Sequence, residues 1–464
     1  MSELRRYSDY KDSGVPWLGE IPSHWEVIDN KFIFNFSRGL TITKANLVDE
    51  GIPCINYGEV HSKYGFEVDP KIHKLKCVPK EYVENFDYAL LNRGDFIFAD
   101  TSEDYKGSGN FTYLNSDEMT FAGYHTVVAR LKTDDNPRFM AYLFDSNEFR
   151  TQVKTRVSGV KVFSITHSIL KNVLVWLPTN DEQQAIVNFL DNELKHIDTL
   201  IDKQHQLIEK LAEQRSAIIT HAVTKGLDPD VPMKGSGVEW LGEIPEHWQL
   251  TRLKNSIVSA QNGVWGNEAE GDDNDLVCIR VADFDRKKLI VKNDKLTIRN
   301  VSDKDYGNRG LREGDLLLEK SGGGDKQLVG CVVLNNFRGK SVCSNFVAKV
   351  SLKENMVPRY WAYHHNVLYQ ANVNIRSIKQ STGIQNLDAT LYFNELACFP
   401  PYKEQVEIAD YLNIQTQKID EMSDSNKSII AKLQEYRSAL ITQAVTGKID
   451  VRDIAKGNGI EEIA

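Results

Sequence analysis

The fifteen residues SGVPWLGEIPSHWEV (13–27) return as SGVEWLGEIPEHWQL (236–250), with 11 of 15 positions identical. A phrase kept this closely, 223 residues further on, restricts the chain to folds that build one unit twice. Other segments recur in the same order. EQQAIVNFL through EQRSAIITHAVT (182–224) matches EQVEIADYL through EYRSALITQAVT (404–446), with 19 of 43 positions shared and 9 of the last 12. NPRFMAY (136–142) pairs with VPRYWAY (357–363), and RGDFIF (93–98) with EGDLLL (313–318). Between these matches the copies diverge: INYGEVHSKYGFEVD and IRVADFDRKKLIVKND share little. Each copy thus has a retained frame around a variable body, which suits two bodies recognising two different things.

The bodies read as mixed α/β. VVARL (127–131), VLVWL (173–177), LVGCVVL (328–334) and NFVAKVSL (345–352) are strand candidates. PRFMAYLFDSNEFRTQV and PRYWAYHHNVLYQANV read as helices with Pro in the first turn. RGD and EGD are turns feeding strands. The segments 182–224 and 404–446 contain no Pro or Gly and predict long helices. Their apolar residues alternate in steps of four and three through Leu190, Leu194, Ile197, Ile201, Ile208, Leu211, Ile218 and Ala222, as in a coiled-coil seam. The second seam, Leu412, Ile419, Ile430, Leu433, Leu440 and Ala444, also holds Thr416 and Ser423. Gly226 and Gly447 follow as C-caps.

The expected architecture is α+β: two globular α/β bodies in tandem, separated and held by two long helices packed as an antiparallel coiled coil with pseudo-twofold symmetry. Its bounds are a first body at 1–178, a first spacer helix at 179–226, a linker at 227–236, a second body at 237–401, a second spacer helix at 402–447 and a tail at 448–464. Gln204 and Asn426 stand at equivalent seam positions and would set register if paired. Trp17, Trp25, Trp240 and Trp248 in the repeated phrase are expected to clamp each start against its own body.

Composition narrows the function classes. The 464 residues are 41% hydrophobic and 26% charged, an ordinary soluble balance. No run approaches a membrane span, and the polar start MSELRRYSDYKDSG lacks a secretion-signal core. Six scattered cysteines without a C-x-x-C pair suggest neither a disulfide framework nor zinc, so a cytoplasmic location is expected.

No catalytic set emerges. FPPY (399–402) resembles an amino-methyltransferase signature, but Phe399 cannot accept from a target amine, and the other copy reads WLPT. SGGGDKQ (321–327) is not a P-loop and reads as a mobile loop. His364 and His365 are adjacent and lack metal-ligand spacing. A recognition or scaffold role is favoured over a free-standing enzyme.

The net charge of −9 is unevenly spread. Each long-helix repeat holds seven acids and four bases. FRTQVKTRVSGVK (149–161) holds four bases and no acid, and NVLYQANVNIRSIKQST (366–382) two bases and no acid. Both stretches end in small-residue turns that allow close approach to an anion, a concentrated footprint for phosphate.

Two variable bodies, each followed by a long helix opening P-x-x-x-E-Q and closing R-S-A-[IL]-I-T-x-A-V-T-x-G, resemble the specificity subunit of type I restriction-modification systems. WLGEIPxHW and the STGIQNL stretch (381–387) add to the likeness, which spans the whole chain; VSGVKVF (157–163) departs from the S-T-G pattern. The resemblance implies that the bodies are target-recognition domains. Each would read one half of a split, asymmetric double-stranded DNA site, with the paired helices as spacer. It implies no catalysis by this chain. Two modification subunits would methylate adenine, and restriction subunits would join through them. S-adenosylmethionine, Mg and ATP are expected on those partners, and the acidic helices are plausible docking faces. Phosphate contacts are expected from Lys154, Arg156 and Lys161 in the first body, and from Arg376, Lys379 and Thr382 in the second. Base readout is expected from Asn56, Tyr57, Lys106 and Asn110, then Arg280, Lys326 and Gln327. Deleting one heptad from each spacer helix is expected to shorten the gap between half-sites by a few base pairs, read from the methylated motif. The alternative is a non-catalytic protein–protein scaffold.

Overall fold

A computed structural model describes residues 5–159, 161–322, 327–381 and 383–453. The chain divides into two compact units, residues 1–204 with 427–464, and residues 205–426. The two long helices, Asn180–Lys225 and Tyr402–Val445, are therefore shared rather than forming units of their own. Each helix half packs into a body's core. Leu190, Leu194 and Ile197 are buried in one cluster with Leu440, Ile441 and Ala444. Ile219, Ala222 and Val223 are buried in another with Ile408, Ala409 and Leu412.

In the first unit a five-stranded sheet runs Phe34–Arg38, Thr126–Leu131, Phe96–Ala99, Phe111–Leu114, Phe66–Val68. A four-stranded sheet runs Lys76–Val78, Ile52–Ile55, Thr120–Ala122, Leu90–Leu91. In the second unit Ile257–Asn262, Val347–Leu352, Leu316–Glu319 and Val332–Leu334 form the corresponding meander, extended by two short strands. A three-stranded sheet of Thr297–Asn300, Asp275–Ile279 and Ser341–Cys343 accompanies it.

The two turns expected from RGD and EGD are present. Gly94 and Gly314 take φ of 90° and 94°, which a side chain would strain. The aspartates that follow are held alike: Asp95 accepts from Asn92 N at 2.8 Å, Asp315 from Arg312 N at 2.8 Å.

Two expectations differ from the fold. The stretch 137–153 is not one helix but two, Pro137–Asp145 and Asn147–Lys154. Ser146 is extended (φ −65°, ψ 151°) and its hydroxyl accepts from Phe149 N, so an N-cap restarts the helix. LVGCVVL is strand only over Val332–Leu334. Upstream of it, side chains take the backbone groups that a sheet would use. Tyr369 donates to Leu328 O (2.8 Å), Asn374 donates to Val329 O (2.6 Å), and Val329 N donates to Gln385 (3.1 Å).

The repeated phrase is a fastener in each unit. His24 Nε2 lies 2.6 Å from Glu182 Oε2, and Trp25 Nε1 lies 3.5 Å from Glu182 Oε1. In the second unit His247 Nε2 is 2.7 Å from Glu404 Oε1, and Trp248 Nε1 donates to Glu404 Oε2 at 2.8 Å. Each glutamate belongs to the first turn of a long helix, where a carboxylate also favours the helix dipole. The same indoles cover the far ends of the other helices. A Cβ on Gly447 would stand 3.2 Å from Trp25, and one on Gly226 would stand 3.3 Å from Trp248. Both glycines have positive φ, as C-caps do. The phrase thus ties the start of one long helix to the end of the other within each unit. Trp25 and Trp248 are buried, but Trp17 is 41% exposed and Trp240 half-buried, so the clamp expected of all four rests on the second tryptophan of each pair.

The other repeated residues fasten in the same symmetric way. Gln183 accepts from Asn136 N (2.7 Å) and donates to Pro178 O (3.2 Å). Gln405 accepts from Val357 N (3.0 Å) and donates to Pro400 O (3.0 Å). Arg138 bonds Asp191 (2.6 Å), and Arg359 bonds Asn413 (2.7 Å). Arg437 bonds Asp198 (3.0 Å), and Arg215 faces Asp420 (3.4 Å). Inside each unit the helix-to-helix pairs Arg437–Asp198 and Arg215–Asp420, together with Trp25 between Glu182 and Gly447 and Trp248 between Glu404 and Gly226, show the two helix segments running antiparallel. Asn426 is buried and donates to Met422 O of its own helix at 2.7 Å, while the buried Oε1 of Gln204 accepts no hydrogen bond from the described residues. Phe399 of FPPY is a buried strand residue packed on Trp361.

Candidate nucleic-acid interface

In the first unit the basic stretch meets a loop of the variable body. Thr101–Ser102 pairs with Phe163–Ser164, and Tyr105 lies 5.6 Å from the Phe163 ring. The helix Asn147–Lys154 presents Arg150 and Lys154 to the same loop. Burial, with the Arg150 and Lys106 charges, holds the Lys154 ammonium below the usual lysine range, against the opposing pull of Asp104. Lys106, Arg156 and Lys161 are exposed. Arg156 also bonds Gln152 O at 2.9 Å. Lys106 and Lys154 are therefore neighbours, and Lys161 stands two residues before the paired strand.

The expected base readers of this body divide. Tyr57 is half-buried and stacks on His61 at 5.1 Å; burial and then Glu103 raise its phenol. Asn110 is occupied, donating to His61 O (3.1 Å) and accepting from Arg150 Nη1 (3.0 Å). Asn56 is 1% exposed; its amide donates to Cys54 O at 3.1 Å and packs on Gly123, where a Cβ would stand 2.0 Å from Asn56 Oδ1. That side chain is structural. The loop also carries acids, with Asp104 accepting from Gly107 N at 2.6 Å, so the patch is mixed rather than uniformly positive.

In the second unit Ser321–Gly322, Ile384–Leu387 and Ile378–Ser381 form a small sheet, and the 3-10 turn Val373–Ser377 leads into it. Arg376 is exposed on that turn, and Lys379 is exposed while holding Asp388 at 2.9 Å. Arg280 is committed to Asp283, through Nη2 at 3.0 Å and Nε at 3.3 Å. Gln327 faces Arg286, and turning its amide so that the oxygen meets the guanidinium lets it accept from Nε at 2.9 Å. Lys326 and Thr382 lie outside the described residues, as does most of the glycine-rich loop.

Exposed aromatic groups outside the expected set stand beside these residues. They are Tyr105 and His125 in the first unit, and Trp265 and Phe346 in the second. Their signal was present as NGVWGN (262–267), a tryptophan between two glycines in a variable segment.

Three comparisons bear on this chain. The family described as the type I restriction modification DNA specificity domain matches residues 22–210. The StySPI specificity subunit of Salmonella potsdam is 20% identical over 438 residues, 93% of this chain and 90% of the relative. The EcoKI specificity subunit of Escherichia coli K12 is 19% identical over 439 residues, again 93% and 90%. The putative MjaX specificity subunit of Methanocaldococcus jannaschii is 28% identical over 246 residues, 51% of this chain and 54% of the relative. Among solved structures, a chain described under "Structural basis underlying complex assembly and conformational transition of the type I R-M system" superposes with a TM-score of 0.68. It is 14% identical and covers 92% of this chain and 98% of its own, a likeness of fold. With its duplicated frame, its mixed α/β units and its two long helices, the chain is similar over most of its length to the specificity subunits of type I restriction-modification systems, and its residues 22–210 match their DNA specificity domain.

Proposed function

We propose that this chain is the sequence-specific DNA-recognition subunit of a type I restriction-modification complex. Each variable body reads one part of a bipartite, asymmetric duplex site. The chain docks two modification subunits and, with them, restriction subunits that hydrolyse ATP. S-adenosylmethionine, Mg and ATP act on those partners.

The observation that carries this reading is a division of labour between kept and varied residues. The side chains shared by the two copies are spent on fastening helices to bodies. The exposed cations, Lys106, Arg156 and Lys161 in one unit and Arg376 and Lys379 in the other, gather on or beside varied segments. Cations of this kind hold phosphate and fix register, while neighbouring loops read base edges. The test is duplex binding by the assembled complex across a salt series. Affinity should fall steeply with salt, since each neutralised phosphate releases counterions. Arg376→Ala should weaken binding evenly across sequences and lower the salt slope by about one. Loss at a single base pair would make Arg376 a base reader instead. No duplex binding at any salt would leave the scaffold alternative standing.

A further inference from the structure

The second unit contains a cavity of about 450 Å³ walled by Trp265, Phe346, Arg280, Ser321, Gly322 and Asn345. Its volume falls in the range of small-molecule sites, roughly 300–1,000 Å³. The two aromatic residues are unusual. Trp265 is 38% and Phe346 48% exposed, though both belong to tightly held backbone. Gly263 N donates to Val347 O (2.9 Å) and Val264 N to Cys343 O (2.7 Å). A Cβ on Gly263 would fall 1.9 Å from Cys343 O, so only glycine lets the Trp265 loop lie against the Phe346 turn. On the other flank Gly266 has φ of 68°, and a Cβ there would meet Asn300 O at 2.4 Å. Arg299 completes the mounting, its guanidinium 4.6 Å from the Trp265 ring centroid and its Nε donating to Trp265 O at 3.2 Å. Two rigidly mounted aromatic groups facing water cost free energy unless something flat covers them.

We infer that this cavity receives one nucleobase unstacked from the bound duplex. The inference rests on the DNA-recognition reading above. The cavity is continuous with the candidate phosphate-binding surface, because its Ser321–Gly322 wall is hydrogen-bonded to the hairpin that carries Lys379. The nearby acids are already taken: Asp283 holds Arg280, and Glu268 holds Arg299. Asn345 is exposed at the rim, an amide able to meet a base edge. Aromatic stacking with polar edge contacts is how proteins hold bases outside the helix.

The test uses the assembled complex and duplexes carrying one mismatch at each pair of the methylated motif. A pair already weakened is cheaper to open, so wild-type binding should tighten about fivefold or more at the pair whose base enters the cavity. Trp265→Ala should remove that gain and weaken binding to the matched duplex about tenfold. Trp265→Phe should keep the gain, and unchanged melting of both variants rules out loss of fold. The inference is overturned if no mismatch tightens binding, or if Trp265→Ala leaves the gain intact or lowers affinity by one factor on every duplex. A complex that ignores the matched duplex altogether would defeat the DNA-recognition reading itself.

Discussion

Trp248→Ala destabilises the second unit by about 3–5 kcal/mol, the usual cost of emptying a buried tryptophan site. The side chain is 1% exposed, so little of its volume can be refilled by water without loss. Two further contacts go with it: the bond from Nε1 to Glu404 and the cover over Gly226 at the end of the first long helix. Trp248→Phe should fall between, since it keeps apolar bulk but leaves the carboxylate without its indole donor. Urea unfolding, combined with amide hydrogen exchange along 205–226 and 402–426, checks this. Exchange should speed at both helix segments together, because the tryptophan joins them. Faster exchange confined to one segment would mean that the repeated phrase serves only its own helix.

Arg286→Ala is the second large effect, again about 3–5 kcal/mol, because it strands a buried carboxylate. Glu319 has a side chain 2% exposed, and Arg286 Nη2 donates to its Oε1 at 2.8 Å. Burial already raises the Glu319 carboxyl above the usual carboxylate range, and Arg286 pulls it back down. Without the guanidinium the folded protein holds that proton more tightly still. A carboxyl whose folded pKa lies above its unfolded value favours folding most below the unfolded value, roughly pH 4, and this contribution is lost as pH rises through the folded pKa. The variant's deficit against wild type should therefore be smallest in acid and grow toward neutrality. Adding Glu319→Gln should recover most of it at neutral pH. Melting curves across pH read both; a deficit independent of pH would mean that packing, not charge, is what Arg286 supplies.

The long helices and the frame were legible in sequence because their causes are local and repeated. Periodicity marks the seam, glycine marks the caps, and duplication reveals which side chains matter. His24, Glu182, Arg138 and Arg215 each have a counterpart 221 to 223 residues on that makes the matching contact. The functional surface was less legible because it depends on which polar groups are already spent. Asn56 looks available in sequence but is folded inward over a glycine. Arg280 could have been discounted, since Asp283 stands three residues on and captures it. The tie between Asn110 and Arg150 spans 40 residues and leaves no local trace. The stretch 137–153 reads as one helix in sequence for a reason of scale: one serine cap, without Gly or Pro, suffices to restart a helix.

The central claim is that two unlike bodies in one chain each specify half of a split DNA site. Mapping methylated bases in host DNA tests it most directly, with the gene intact, deleted, or carrying residues 237–401 from a relative of different sequence. A two-part adenine motif should be present with the intact gene, vanish on deletion, and change in one half only after the exchange. Methylation that persists without the gene, or an exchange that alters both halves together, would contradict it.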